Sequence, residues 1–441
     1  MPRPTIVTDR HVADVVLTCD IDGTVHAPGA VDVSDGRIVR VGPVDEAPPV
    51  DGAIREHGGL LMPGLVNAHA HTPMTLVRGA GDGLPLQRWL TEAMWPREGR
   101  MTPEDVWWGM ALGSAEMLAA GVTTSCEMYL FEDAVADAVR ASGGRLVVTP
   151  AVLSVLHGDA FGSDGDRLDA MAAFHGEHHD PDGRVTVGIA PHSAYDLGVE
   201  RVALLAGLAR DLDVVLHVHV AETREESAPL EAEYGRSIVR ILDDHGVFAA
   251  RTLVAHGVWV DADDITLLAR AGVAVTHCPV SNMKLGSGVA PVAAMLDAGM
   301  TVALGTDGPA SNDTLDLWEE VKVASLLARV DALDPTLLPA DQVLAMATRL
   351  GADAVGLDDV GCLAPGMAAD LVRIDLDHPA FTPVTSSDEL LAHLVWAGSS
   401  RSVTDVWVAG EPVVVDGEVL TVDVARARTE VQKRAERLAA D

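Results

Sequence analysis

Side chains able to bind a metal ion or carry a proton recur in this chain at the ends of apolar runs. His69 and His71 close LLMPGLVNAHAH, His192 follows RVTVGIAP, His219 and Glu222 lie in DVVLHVHVAET, His256 closes RTLVAH, His277 closes GVAVTH and Asp307 closes TVALGTD. In an extended strand, residues two apart point the same way, so His69 and His71 present two imidazoles to one side and can grip one ion. A lone histidine is more often a packing or surface residue, but chance does not readily supply a metal-competent side chain at six strand ends. Three imidazoles and a carboxylate, from His69, His71, His219 and Asp307, make a nitrogen and oxygen donor set suited to zinc or ferrous iron, with a position left for water. An ion so held lowers the pKa of its water from about 15.7 to roughly 7, which supplies a nucleophile at neutral pH. Asp307 can both bind the ion and accept that proton. His217 shares a face with His219, and the pattern alone does not say which of the two binds. His219 is favoured because it lies nearer to Glu222 and to the strand's C-terminal end.

The elements that must position these residues follow from the texture of the sequence. Eight strand-like runs, from LLMPGLVNAHAH through TVALGTDGPAS, alternate with Ala/Leu-rich segments such as PEDVWWGMALGSAEMLAAG, whose apolar spacing is helical and which ends at a glycine. Eightfold alternation predicts an α/β fold of the (β/α)₈ TIM-barrel type over residues 61–363, a fold that carries its chemistry at the C-terminal ends of its strands. An open doubly wound sheet is the runner-up, but no G-x-G-x-x-G follows the first strand. Residues 1–60 and 364–441 read as short strands broken by Gly, Pro and Asp, which predicts a small β-sandwich built from both termini. The turns at GEP and DGE suggest hairpins, and VARARTEVQKRAERLAAD a closing surface helix.

Bulk properties bound the partners. Over 441 residues, 31 Lys and Arg face 66 Asp and Glu, a formal charge of −35 spread along the chain. That charge repels phosphate backbones and anionic lipid, so neither nucleic acid nor a membrane is an expected partner, and a small molecule is. Cys19, Cys126, Cys278 and Cys362 lie far apart and form no C-x-x-C pair, which speaks against a disulfide framework and a thiolate zinc site. With no basic, apolar leader and no long apolar run, a cytoplasmic location is expected.

The ordered motifs PGLVNAHAHTPMTLVRG, APHSAY, HVHVAETREE, VAHGVWV, THCPVSNMKLGSGVAPV and LGTDGPASNDTLDLWEE resemble those of the amidohydrolase superfamily. Within it they are similar to the S-adenosylhomocysteine, methylthioadenosine and adenosine deaminases, with triazine hydrolases nearby. The resemblance implies one divalent metal per subunit, zinc first and iron second, on His69, His71, His219 and Asp307, since no lysine stands at the end of strand three or four to bridge a second ion. It implies Glu222 as the shuttle that protonates a ring nitrogen and His256 as the group that orients the nucleophile. Glu98, Arg167, His192 and Trp89 are the implied substrate contacts, Glu98 on the ribose.

The implied activity is hydrolytic deamination of an adenosine-like purine nucleoside. The alternative is an amino- or chlorohydrolase acting on guanine, a pterin, cytosine or an s-triazine. A metal-binding protein without turnover is a third reading, against which the presence of both Glu222 and Asp307 speaks. Homo-oligomers are common in the branch. Two departures bear on substrate. Members that prefer S-adenosylhomocysteine commonly carry an arginine after strand three, where this chain has Ser154, Val155 and His157. Cys278 stands where an asparagine is usual.

Overall fold

The computed structural model describes residues 8–154 and 164–440. The chain has an α/β fold, and each of the eight apolar runs contains a strand. These are Leu65–Ala70, Val122–Tyr129, Arg145–Val152, Val185–Val187 with Ala190–Pro191, Leu216–Val220, Thr252–His256, Ala274–His277 and Val302–Leu304. All their residues except Thr186 are buried, as expected for parallel strands covered on both faces. The first four pair in parallel in chain order, and so do the last four. Bridges join the two sets at both margins, Ile189 to Leu216 and Ser193 to His219 on one side, Ala70 to Asp307 on the other. Every strand therefore ends on the same side, which brings the histidines of distant motifs together.

LLMPGLVNAHAH reads as one strand in the sequence, yet it serves two sheets. Leu60–Pro63 joins the terminal strands, and Leu65–Ala70 opens the parallel set. Gly64 makes the passage possible, because a Cβ there would collide with the Thr123 side chain.

Strands from both ends of the chain share sheets. Leu60–Pro63 pairs with Leu371–Ile374 and with Val15–Leu17 in a seven-stranded sheet, while Asp9–Ala13, Gly29–Ser34, Arg37–Pro43 and Ile54–Glu56 form a four-stranded one. Val31 and Ile38 of the smaller sheet share a buried cluster with Val16, Leu61, Leu371 and Trp407 of the larger. Hairpins turn at Ala409–Gly410 and Asp416–Gly417, where both central residues have positive φ, the geometry that matches strand twist. Arg145 ties the parallel strands to the terminal sheets through a bidentate buried pair with Asp370, at 3.0 and 3.1 Å.

Helix Pro103–Ala119 starts at a Thr102–Asp105 capping box. The C-terminal helix Val424–Ala439 docks on it. Its Ala427, Val431 and Leu438 are buried, and Arg434 and Arg437 pair with Asp105. No helix among the described residues is long and apolar enough to cross a membrane. All four cysteines are free thiols.

Candidate active site

Three strand ends turn on residues with positive φ: Ala221 at 55°, His256 at 74° and Asp307 at 60°. Left-handed backbone costs a non-glycine residue of order 1–3 kcal/mol and persists where the surroundings hold it. At Ala221 the carbonyl accepts from Val258 and Trp259, both at 2.9 Å. Thr223 then caps helix Arg224–Tyr234, and Glu226 reaches back to the Glu222 backbone N–H at 2.8 Å. Glu222 is thereby fixed at the mouth of its strand.

The histidine hydrogen bonds define which ring nitrogen is bare. His71 Nδ1 meets the Met128 carbonyl at 2.5 Å and His219 Nδ1 meets the His192 carbonyl at 2.9 Å. A carbonyl only accepts, so both rings carry a proton on Nδ1, and in the neutral imidazole that leaves Nε2 bare to bind an ion. For His69 the same result arrives through a chain. The Thr149 hydroxyl donates to the Glu127 carbonyl at 2.9 Å and so accepts from His217 Nδ1 at 3.1 Å. His217 Nε2 then accepts from His69 Nδ1 at 2.8 Å. His217 is thus a support for His69, one layer below the mouth.

The ligating atoms of His69, His71 and His219 lie within 4.8 Å of one another. Asp307 Oδ1 is 3.3 Å from Nε2 of both His69 and His71, while its Oδ2 accepts from Ser281 at 2.5 Å and Ser311 at 2.9 Å. His69 Nε2 is buried with no hydrogen-bond partner, a costly state for a polar atom unless a further group meets it. A divalent cation fits: neutral imidazoles and a carboxylate are its ligands. Burial pushes His69 down to about 3, against the pull of Asp307, and holds His219 well below its ordinary value. Burial acts upward on Asp307, yet the surrounding imidazoles keep it well below the usual carboxylate range.

Glu222 and His256 face each other beside this cluster, Oε2 to Nε2 at 3.7 Å. Burial first, and then the charge of Asp307, pushes Glu222 up to about 8, while the Ser287 hydroxyl at 3.2 Å works the other way. Burial and the Asp307 charge both favour the protonated carboxyl of Glu222.

A cavity opens over these groups. His71, His219, Glu222, His256 and Asp307 stand in its lining, and so do Trp89, Glu98 and His192. Trp89 donates its indole N–H to Ala80 at 3.2 Å, and the Glu98 carboxylate accepts from Tyr129 at 2.9 Å. Glu98 and Trp89 come from a helical stretch whose middle, Trp89–Met94, winds as a wide π turn.

Arg167 is half-buried behind this wall and donates to the carbonyl of Ala151, itself a lining residue. His277 is buried and does not line the cavity. Cys278 is buried at the start of helix Pro279–Leu285. Ser154 bonds to Asp196 at 2.5 Å, and Val155 and His157 lie outside the described residues.

Several groups around the site are not evident from the sequence. Glu226 had a signal, the T-x-x-E spacing of Thr223 and Glu226, and His217 had its shared face. Thr149 and Tyr129 act through other residues and lie outside the quoted motifs, while Ser281, Ser287 and Ser311 lie within two of them with no spacing that singles them out.

A model of the Amidohydrolase family matches residues 60–413, more than three quarters of the chain. The chain belongs to the amidohydrolase family. Among amidohydrolase relatives, a 5-methylthioadenosine/S-adenosylhomocysteine deaminase of Pelotomaculum thermopropionicum is 41% identical over 96% of this chain and 97% of its own length. A 5'-deoxyadenosine deaminase of Methanosarcina mazei is 40% identical over the same shares. The crystal structure of an adenosine deaminase from Xanthomonas campestris with bound zinc superposes with a TM-score of 0.92 at 35% identity, covering 98% of each chain.

Proposed function

We propose that the protein is a metal-dependent hydrolase that deaminates an adenosine-like purine nucleoside and releases ammonia, with adenosine, 5'-methylthioadenosine and S-adenosylhomocysteine as candidate substrates. One observation carries the reading. The ligating atoms of His69, His71 and His219 and Asp307 Oδ1 converge beside the buried Glu222, under a cavity lined by His71, His219, Glu222 and Asp307. The names of the relatives at about 40% identity support the substrate class.

In this reading His69, His71, His219 and Asp307 would hold one ion. When bound, the ion, zinc before iron, makes water acidic enough to serve as the nucleophile at neutral pH. Glu222 gives its carboxyl proton to the ring nitrogen next to the carbon that bears the amine. His256 orients the nucleophile by a hydrogen bond. Glu98 accepts from the ribose hydroxyls while Tyr129 holds its carboxylate in place. Trp89 and His192 border the substrate, and Arg167 supports the wall at Ala151.

The fold behind the site is, in the same reading, a (β/α)₈ barrel with a β-sandwich and closing helix built from the flanking segments, and the expected boundary after residue 60 moves to Gly64 because Leu60–Pro63 pairs in the terminal sheet. The bridges at both margins of the parallel strands support the barrel, and the buried cluster shared by the two terminal sheets supports the sandwich. Four free cysteines fit a cytoplasmic location.

An ammonia-release screen on metal-quantified protein tests the reading. Adenosine, 5'-methylthioadenosine, S-adenosylhomocysteine and guanine form one arm, and a chlorinated s-triazine with chloride detection the other. Ammonia from at least one of the adenosine-like nucleosides is expected. Turnover confined to guanine or to the triazine would overturn it.

A further inference from the structure

Helix Pro279–Leu285 and the turn after it reach three of the groups just described. Ser281 donates to Asp307, Ser287 donates to Glu222, and Asn282 meets His256. The Asn282 contact carries the most chemical information. Its Nδ2 lies 3.0 Å from His256 Nδ1. An amide nitrogen can only donate, so that ring nitrogen is bare and the imidazole proton sits on Nε2. This is the reverse of His69, His71 and His219, whose Nδ1 atoms all face acceptors.

The surroundings of Nε2 agree. It faces the Glu222 carboxyl at 3.7 Å, and a ligating atom of His256 lies within 4.8 Å of one on Asp307. With the amide turned over, Oδ1 would stand against Nδ1 and demand a proton there. Asn282 is anchored in the first turn of its helix, its N–H on the Cys278 carbonyl at 3.0 Å and its carbonyl accepting from Ser287 at 2.8 Å. Both side chains are buried to 1% exposure, so water does not substitute for the contact.

We propose that Asn282 is a positioning residue that makes His256 a hydrogen-bond donor toward the nucleophile and withholds it from the metal. Without this contact His256, one of a trio with His69 and Asp307 able to hold an ion, would compete for a place on the metal. Because the reaction it serves is the deamination proposed above, the inference rests on that reading for its kinetic consequence but not for its ring tautomer.

Nitrogen NMR of zinc-loaded protein labelled with ¹⁵N-histidine, with His256 assigned through His256→Gln, reads each ring nitrogen directly. The wild-type protein should carry its proton on Nε2. In Asn282→Asp the new carboxylate only accepts, so the proton should move to Nδ1, and kcat should fall about 10- to 100-fold, the usual cost of losing an outer partner, with KM little changed. A packing role alone would not reverse the tautomer. A wild-type ring protonated on Nδ1, or an Asn282→Asp protein with unchanged tautomer and turnover, would overturn the proposal. The expected pair of tautomers without ammonia release from any nucleoside would support Asn282 in its role and contradict the deaminase reading.

Discussion

A single proton decides what each imidazole at the strand ends can do. Where Nδ1 faces a carbonyl, as in His71 and His219, Nε2 is free to bind an ion; where it faces an amide donor, as proposed for His256, Nε2 is a donor. The candidate acid obeys the same local logic, since burial and the nearby Asp307 push the Glu222 carboxyl up toward the protonated form. Replacing Glu222 by Gln keeps the shape and removes the transferable proton. The expected result is a fall in kcat of about 10²- to 10⁴-fold with metal content unchanged, read by steady-state kinetics beside elemental analysis. Much of this was legible from the sequence. His69-x-His71 and Asp307 announce themselves by spacing and by position at strand ends. Alternation alone could not separate His217 from His219, because it gives the face but not the depth; its place nearer the strand's C-terminal end is what favours His219. Depth is set by the register of neighbouring strands, which places Val220 opposite His256 and His217 opposite Leu253.

At the scale of elements, the eight parallel strands were legible because each is a short apolar run bounded by turn residues. The division of LLMPGLVNAHAH between two sheets was not, since Gly64 is required by Thr123, a contact far along the chain. The terminal strands add a pH dependence of their own. His11, on Asp9–Ala13, is 3% exposed; its Nδ1 lies 3.0 Å from His57 Nε2, and Trp407 packs edge-on against its ring. Burial, then the neighbouring His57, pushes His11 down to about 4 from an ordinary 6.5. Between those values the unfolded chain binds a proton that the folded one refuses. Stability is thus insensitive to this group above pH 6.5, falls as pH drops from 6.5 to 4, and levels off below. The loss should be about 3 kcal/mol at the lower end. Urea unfolding followed across this window should show a shallower acid slope in His11→Asn than in the wild type, and equal slopes would remove His11 as the cause.

At the scale of the molecule, residues from both ends of the chain brace the parallel strands that carry the candidate site. Arg145 and Asp370 form the buried tie between them, 225 residues apart in sequence. Arg145→Met leaves the Asp370 charge buried without its partner, which should cost about 3–5 kcal/mol, whereas removing both charges with apolar residues should cost less. Thermal unfolding of the single and double variants checks this, and a double variant less stable than the single would contradict it. The tie, like the docking of Arg434 and Arg437 on Asp105, could not be read in advance, since surface and buried charges look alike in a sequence this acidic. The site itself depends on donors from the first, fifth and eighth parallel strands meeting at one point, and elemental analysis of purified, metal-loaded protein tests that meeting most directly. Wild-type protein and Glu222→Gln should each retain close to one divalent ion per chain, while His219→Ala and Asp307→Ala should lose most of it. Full metal retention in both of the latter would contradict the convergence on which the proposed chemistry depends.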